Sequence, residues 1–370
     1  MATQQRKIHV FVHLAHGFGA RRWTKRWAKG DIPGLNEKLP YGYYRAANKT
    51  CIVEYSEDAD ENRLVELLRL SMRRLLGCDL LHAWRNRKAL FEADVVWTHT
   101  ELEHLAVLAL WRFQPRECRP KLIAQSVWLF DRWCRLSAPR RWLYRRLLTD
   151  ADVLTVLSPE NLKVVREVFP RVRSELIRFG INSDTIVPPV QQAAHSPVRI
   201  VALGNDMHRD WETLIAVAEQ WKGCQIRIAS KRLDRSVTSR AHNVDVISVK
   251  SERDVAELYS WADIAAVSLK ANLHASGITV IYEAMLRGVP VVCTDTGGLR
   301  AYFSEQEVRY VPPQDSSTLG RAFKELAKDD QMRFTMAKRA QARMLSADLS
   351  SRAFANRHYE ISRQLLDLPA

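Results

Sequence analysis

The residues best suited to chemistry lie in segment 276–292, which reads SGITVIYEAMLRGVPVV. Small residues open a predicted helix there, and the free N–H groups and dipole of a helix N-terminus favour a bound anion. Glu283 follows four residues after Thr279, so a carboxylate on the same helix face can accept hydrogen bonds from two ribose hydroxyls. The segment therefore predicts a nucleoside-diphosphate site, with an ordinary helix carrying a surface glutamate as the alternative. The residues of its opening are Ser276, Gly277, Ile278 and Thr279.

Strands and helices alternate along the chain and would position this segment. Short apolar runs such as 8–12 and 94–97 are typical of buried strands, whereas 62–76, with its stripe of leucines, is typical of an amphipathic helix. The alternation stops at a linker-like stretch, 187–197, and then restarts. We therefore predict an α/β fold of two doubly wound halves, with a ligand-binding cleft between them.

Further motifs give the sequence a resemblance to a known family. Glu283 begins the motif Glu-Ala-Met-x-x-Gly-x-Pro-Val-Val, which leads into Thr-Asp-Thr-Gly-Gly at 294–298. This motif resembles the donor-nucleotide site of the GT-B glycosyltransferases, especially family 4, the glycosyl transferases group 1. Other segments resemble that family in the same order, and the resemblance extends over residues 90–340. These segments are 94–101, 149–161 and 179–188.

The resemblance implies a GT-B fold of two Rossmann-like domains that face each other across a cleft. We expect an acceptor-side domain over 1–190, a domain binding the nucleotide sugar over 191–350, and a C-terminal helix over 351–370 that packs towards the first domain. The implied reaction is retaining transfer of a hexose from a nucleoside-diphosphate sugar to a hydroxyl of a glycan or polyprenyl-linked acceptor, in polysaccharide or glycolipid synthesis. The donor is a substrate, and neither a metal nor another cofactor is expected.

Two departures from the family pattern affect the donor site. Family members carry a glutamate eight residues before the second one, where this chain has Ala275, with His274 and Ser276 as candidate substitutes. The family's Gly-Arg and Lys phosphate clamp is replaced by the run GNDMHRDW at 204–211. Arg209 is the predicted clamp, because a guanidinium can bind a diphosphate through two parallel hydrogen bonds.

Two more residues complete the predicted donor-binding set on this side. Asn205 lies in the same replaced run, and Lys270 precedes the donor loop, where it offers a second positive charge. The alternative for Arg209 is a surface arginine at a helix start, and the alternative for Lys270 is an ordinary surface lysine.

A glycine loop follows the first predicted strand. Gly17 and Gly19 resemble the family's loop that lets backbone approach the donor diphosphate or the acceptor hydroxyl. The spacing does not complete a dinucleotide fingerprint, and a plain turn is the alternative.

The catalytic histidine that family members carry after the strand 121–124 is missing. Ser126 or Asp131 would lie near the acceptor in its place, although such an aspartate is more often a capping or salt-bridge residue. His99, at the preceding strand end, is another candidate, with a packed structural histidine as the alternative. The predicted catalytic residues are Arg209, His99 and Ser126.

The net charge of +14 is concentrated in the first half, where 32 Lys and Arg oppose 21 Asp and Glu up to Pro188. Such asymmetry indicates an anionic partner. In segment 139–148, PRRWLYRRLL, arginines flank apolar residues at helical spacing, which suits an anionic bilayer. Because family enzymes often use lipid-linked acceptors, we expect a cytoplasmic enzyme bound peripherally to the cytoplasmic face of the membrane. A helix packed on the sheet with a solvated basic edge is the alternative.

Composition disfavours several other classes of protein. The longest purely apolar run, 105–111, is far shorter than the roughly 20 residues of a transmembrane helix, and the N-terminus shows no signal-peptide core. The six cysteines form no Cys-x-x-Cys pair, so neither a disulfide framework nor a zinc site is indicated. A GT-B-shaped sugar-nucleotide epimerase is the alternative function. A basic nucleic-acid-binding protein is a further one, without a motif to support it.

Overall fold

The computed structural model describes residues 7–233, 235–238, 240–346 and 348–368. By its internal contacts the chain divides into two compact units. Within the described residues, the first unit holds 7–28, 37–180 and 351–368, and the second holds 29–36 and 181–350.

This division differs from the expected boundary after residue 190. The Ile181 N–H donates to the Leu349 carbonyl oxygen at 3.3 Å, which ties the stretch after residue 180 to the second unit. Residues 29–36 belong there as well, because the Gly30 carbonyl oxygen accepts a hydrogen bond from the Glu252 N–H at 3.2 Å.

The first unit is built on a six-stranded sheet in which every pair of neighbours is parallel. Its strands are β1 (Ile8–His13), β2 (Cys51–Tyr55), β3 (Val95–Thr98), β4 (Lys121–Ser126), β5 (Val153–Val156) and β6 (Ser174–Leu176). Their order is β2-β1-β3-β4-β5-β6, so the direction of winding changes between β1 and β3. The central strands are apolar on both faces because helices cover the sheet on both sides.

In the described part of the first unit, α-helices follow or lie between these strands. They are α1 (Ala20–Ala28), α2 (Arg63–Leu76), α3 (Leu80–Arg85), α4 (Arg87–Glu92), α5 (Glu101–Trp111), α6 (Ala138–Leu148) and α7 (Pro159–Val168). Short 3₁₀ helices lie at Pro40–Ala46, Arg116–Cys118 and Phe130–Arg135.

The second unit has its own parallel six-stranded sheet. Its strands are β7 (Val198–Leu203), β8 (Cys224–Ala229), β9 (Val244–Ile247), β10 (Ile264–Val267), β11 (Val291–Thr294) and β12 (Val308–Val311). The order β12-β11-β10-β7-β8-β9 is that of a doubly wound nucleotide-binding sheet, and it reverses between β7 and β10. Ligands of such sheets bind at the carboxyl ends of the strands where the order reverses.

Helices cover this sheet too, and the chain ends in a further helix. The helices of the second unit are α8 (Trp211–Gln220), α9 (Arg235–Thr238), α10 (Glu252–Trp261), α11 (Ile278–Leu286), α12 (Ser316–Lys328) and α13 (Asp330–Leu345), with a 3₁₀ turn at Leu299–Ala301. The last helix, α14 (Ser351–Leu365), belongs to the first unit.

Helix α14 packs on the 3₁₀ helix Pro40–Ala46 through aromatic side chains. The Phe354 ring lies 5.2 Å from that of Tyr43 and 5.3 Å from that of Phe179, centroid to centroid. The Trp97 indole N–H donates to the Ser362 hydroxyl at 2.8 Å. The C-terminal helix is therefore part of the core of the first unit.

Among the described residues, no helix combines the length with the hydrophobicity that crossing a bilayer requires.

We expect Phe354→Ala to lower the free energy of unfolding by about 3 kcal/mol, because removing a fully buried aromatic ring leaves a cavity. Denaturant titration followed by tryptophan fluorescence measures the change. Phe113→Ala is the control, since Phe113 is 94% exposed and its loss should matter little. Equal effects of the two substitutions would contradict the packing of α14.

Candidate active site

The strand reversal in the second unit brings together the loops that follow β7 and β10. The Asp210 N–H donates to the Ser268 carbonyl oxygen at 3.0 Å, and the Lys270 N–H donates to the His208 carbonyl oxygen at 2.7 Å. These bonds hold the two loops side by side. Segment 204–211, which stands in place of the family's phosphate clamp, therefore lies against the loop that leads from β10 to α11.

Arg209 lies at the centre of this arrangement, and its side chain is buried. Cβ atoms at Gly204 or Gly277 would crowd its guanidinium, so the two glycines leave the space that the guanidinium occupies. Gly204 has a φ of 137° and Gly277 a φ of 81°, which also favours glycine. Among the described residues, neither Nε nor Nη1 of Arg209 has a hydrogen-bond partner. Burial lowers the pKa of Arg209, and the Asp206 carboxylate partly opposes that shift.

The start of α11 adds a second set of polar groups to the same place. Ser276 is buried, and its hydroxyl has no hydrogen-bond partner among the described residues. Gly277 caps the helix beside the Arg209 guanidinium. The Ile278 N–H donates to the Ala275 carbonyl oxygen at 3.2 Å, so that amide is already engaged, whereas Thr279 lies exposed on the first turn. A buried cation with open donors at a helix N-terminus is suited to bind an anion.

Glu283 lies on the same helix, about 9 Å further along its axis than Gly277. Its Oε1 accepts a hydrogen bond from the Leu35 N–H at 2.8 Å. A Cβ at Gly34 would overlap that oxygen, so only glycine fits there at a φ of 89°. Burial raises the pKa of Glu283 to about 7, against the lowering effects of the Leu35 N–H and of Arg287.

A carboxylate bridging two imidazoles lies beside Arg209. Asp206 Oδ2 is 3.0 Å from His274 Nε2, and Asp206 Oδ1 is 3.1 Å from His208 Nδ1. His274 is buried next to Ala275, where family members carry their first glutamate. The sequence analysis named His274 as a candidate but did not connect it with Asp206 or His208. Both of these residues lie in the segment 204–211 that replaces the family's phosphate clamp, and their polarity was the signal that the sequence offered.

Asn205 and Lys270 are both exposed beside this cluster. The Asn205 side-chain oxygen accepts a hydrogen bond from the Lys231 N–H at 2.7 Å, so it supports the loop after β8. The Lys270 backbone is held by its hydrogen bond to the His208 carbonyl oxygen, and its side chain is exposed on the loop after β10.

The glycine loop of the first unit is held by a carboxylate that sequence reasoning did not assign to it. The Gly17 N–H donates to Asp58 Oδ1 at 2.9 Å, and the Gly19 N–H donates to Asp58 Oδ2 at 3.2 Å. Both amides that would face a diphosphate are therefore already engaged within the first unit.

His99 follows β3 and is buried among aromatic rings. It stacks on Tyr41 with centroids 3.5 Å apart, and its Nδ1 lies 2.9 Å from the Tyr43 hydroxyl and 3.1 Å from Gln125 Nε2. Because both neighbours can donate to Nδ1, the ring is assigned as the tautomer protonated at Nε2. Burial, followed by the nearby His358, lowers the pKa of His99 to about 3. His99 is therefore a neutral imidazole at physiological pH.

Ser126 ends β4 with its side chain fully buried. Its hydroxyl lies 3.5 Å from His104 Nε2, and burial lowers the pKa of His104 to about 3. In the first unit, then, the two predicted catalytic residues lie at neighbouring strand ends and contact different partners.

Comparisons with known proteins concern the family and the fold. Residues 231–343 match the family model described as Glycosyl transferases group 1. The resemblance to the group 1 glycosyltransferases is confirmed. The matched group 1 segment includes α11 and Glu283, whereas Arg209 lies before it. No curated protein sequence matches the chain.

Solved structures show the same fold over nearly the whole chain. A sucrose-phosphate synthase from Thermosynechococcus elongatus is 17% identical with a TM-score of 0.73, over 97% of this chain and 99% of that one. Anabaena HepE in complex with UDP-glucose is 13% identical with a TM-score of 0.68, over 97% and 100%. A glycosyltransferase from Rickettsia africae is 12% identical with a TM-score of 0.63, over 97% and 99%. The predicted GT-B class, two parallel sheets with flanking helices, is thereby confirmed.

The raised pKa of Glu283 predicts a pH-dependent effect of Glu283→Gln on stability. The folded protein binds this proton more tightly than the unfolded chain, so the stabilisation is complete below the ordinary pKa of 4.5 and is lost as the pH rises through about 7. Glu283→Gln should therefore stabilise the protein at pH 8, by about 1–2 kcal/mol more than at pH 5. Denaturant titrations at the two pH values measure this difference. Glu257→Gln on α10, an exposed position, is the control, and an identical pH dependence in both variants would contradict the burial of Glu283.

Proposed function

We propose that the chain transfers a sugar, with retention of anomeric configuration, from a nucleoside-diphosphate sugar to an acceptor hydroxyl. The group 1 match and the fold support the broad class, a nucleotide-sugar glycosyltransferase. The observation that carries the proposal is the buried Arg209 guanidinium, which has open donors at the N-terminus of α11.

The donor diphosphate would bind at this N-terminus. Arg209 would donate from Nε and Nη1 to its oxygens, and the Ser276 hydroxyl and the Gly277 backbone would complete the site. When the bond to the sugar breaks, negative charge grows on the departing diphosphate. Donors already fixed in a buried site stabilise such charge without reorganising, which lowers the barrier.

The ribose would bind further along α11. Glu283 Oε1 already accepts the Leu35 N–H, so the remaining lone pairs of the carboxylate would accept the ribose hydroxyls. Anabaena HepE was solved with UDP and with UDP-glucose, which makes uridine donors the first to test here.

We infer that positive side chains take the role that a metal has in other glycosyltransferases. Arg209 provides a buried charge, and Lys270 on the neighbouring loop provides an exposed one. His274, oriented by Asp206, would contact the transferred hexose where family members use a glutamate. Asn205 would act through the loop that it supports.

On the acceptor side we keep His99 and Ser126 as candidate catalytic residues. Gly17 and Gly19, whose amides donate to Asp58, stay candidates for close approach of their loop backbone to the donor diphosphate or the acceptor hydroxyl. His99 would act as a neutral imidazole that carries its proton on Nε2. The proposed acceptor is a glycan or a polyprenyl-linked glycan of polysaccharide or glycolipid synthesis. The enzyme would work in the cytoplasm, bound peripherally to an anionic membrane.

The class of reaction is tested by incubating the protein with UDP- and GDP-sugars and measuring nucleotide release with and without acceptor. Acceptor-dependent release is expected, and NMR of the anomeric proton then distinguishes retention from inversion. Interconversion of the nucleotide sugar without acceptor would indicate an epimerase instead.

We expect Arg209→Ala and Glu283→Ala each to lower turnover at least tenfold while the circular dichroism spectrum is unchanged. The first removes the charge that stabilises the leaving diphosphate, and the second removes the ribose contact. Arg309→Ala is the matched control, because Arg309 is an exposed arginine of the same unit, on β12. Near-normal transfer by both site variants would remove this assignment.

A further inference from the structure

Helix α2 exposes its apolar face to solvent, whereas the apolar face of an amphipathic helix ordinarily packs on a protein core. Four of its leucines are between 54% and 78% exposed and lie on one face of the helix. We name them the α2 leucine face: Leu64, Leu67, Leu68 and Leu75.

The opposite side of α2 is held in place by an arginine. Arg69 is the buried residue of this helix, with its Nε 2.9 Å from Glu61 Oε2 and its Nη1 3.2 Å from Asp79 Oδ2. Glu61 also pairs with Arg85. These buried ion pairs fix the rotation of the helix, so the leucines cannot turn inward without separating charges in a buried site.

Helix α6 lies beside the C-terminal end of α2 and carries an exposed tryptophan. The Arg140 guanidinium donates to the Leu75 carbonyl oxygen at 3.1 Å, and the Tyr144 hydroxyl donates to the Leu76 carbonyl oxygen at 3.0 Å. Trp142, on α6, is 70% exposed. Apolar side chains of two helices that touch each other therefore face solvent.

The charges of the two helices have one dominant sign. Both helices lie wholly within the described residues, and Glu66 is their only acidic residue. An exposed apolar face on a pair of helices that carry this many guanidinium groups complements a surface that is apolar inside and negatively charged outside. Apart from the buried Arg69, the arginines are Arg63, Arg73, Arg74, Arg140, Arg141, Arg145 and Arg146.

We propose that the α2 leucine face inserts into the interface of an anionic lipid bilayer, while the arginines of α2 and α6 bind the lipid phosphates. The proposal rests on the proposed peripheral membrane location and names the element that makes it. A helix of 14 residues is about 21 Å long, which suits a segment lying flat in the headgroup region and not one that spans it.

Vesicle flotation with the full chain tests this insertion. For vesicles of phosphatidylcholine with about 30% phosphatidylglycerol, the variant Leu64→Gln/Leu68→Gln/Leu75→Gln should have a partition coefficient at least tenfold lower than that of the wild type. It should keep the wild-type thermal shift with UDP, because these residues lie outside the donor site. Raising the salt concentration should release this variant completely and the wild type only in part, because screening weakens the arginine contacts and not the burial of leucine.

The matched control is Met332→Gln/Leu345→Gln, which removes two exposed apolar side chains from α13 and should bind like the wild type. If the wild type itself fails to bind anionic vesicles, the peripheral location falls together with this proposal, whereas acceptor-dependent transfer can still be observed. If the wild type and the triple variant bind equally, the α2 proposal alone is overturned. Concentration-dependent dimerisation that only the triple variant loses, with equal vesicle binding, would instead assign the face to a second copy of the chain.

Discussion

The proposed donor site of the second unit depends on one buried guanidinium, that of Arg209, whose Nε and Nη1 have no hydrogen-bond partner among the described residues. Arg209 fits between Gly204 and Gly277 at the reversal of the sheet, with its Nε beside Gly204 and its Nη1 beside Gly277 at the start of α11. Burying such a group without a partner is unfavourable unless a ligand completes it. The two glycines, Asp206 and the packed loops hold the Arg209 guanidinium in place, where it could bind the proposed diphosphate.

In the first unit, by contrast, the polar groups of the candidate site already have hydrogen-bond partners. Asp58 satisfies the amides of the glycine loop, and His99 and Ser126 are each engaged by neighbours of the same unit. Burial keeps the imidazoles of His99 and His104 neutral. The candidate residues of this unit are therefore neutral groups fixed by hydrogen bonds, whereas the candidate site of the second unit contains a charged guanidinium.

Local pattern was sufficient for the fold and for the helix that carries Glu283. The motif around Glu283 and the strand–helix alternation predicted both the GT-B class and the helix that carries the glutamate. The partner of Glu283 could not be predicted, because the Leu35 N–H is 248 positions away in the sequence. The leucine stripe at 62–76 predicted the helix correctly, but helical periodicity does not say which face is buried, and the ion pairs of Arg69 decide that.

Residues 29–36 lie far ahead of the rest of the second unit in the sequence, yet they supply the amide that engages Glu283. The unit proposed to bind the nucleotide sugar is consequently discontinuous in the amino-acid sequence. A fragment that starts at residue 181 would lack this amide and the glycine that makes room for the carboxylate. An exchange of halves with a related enzyme, made to alter donor choice, would have to transplant the 29–36 loop together with residues 181–350.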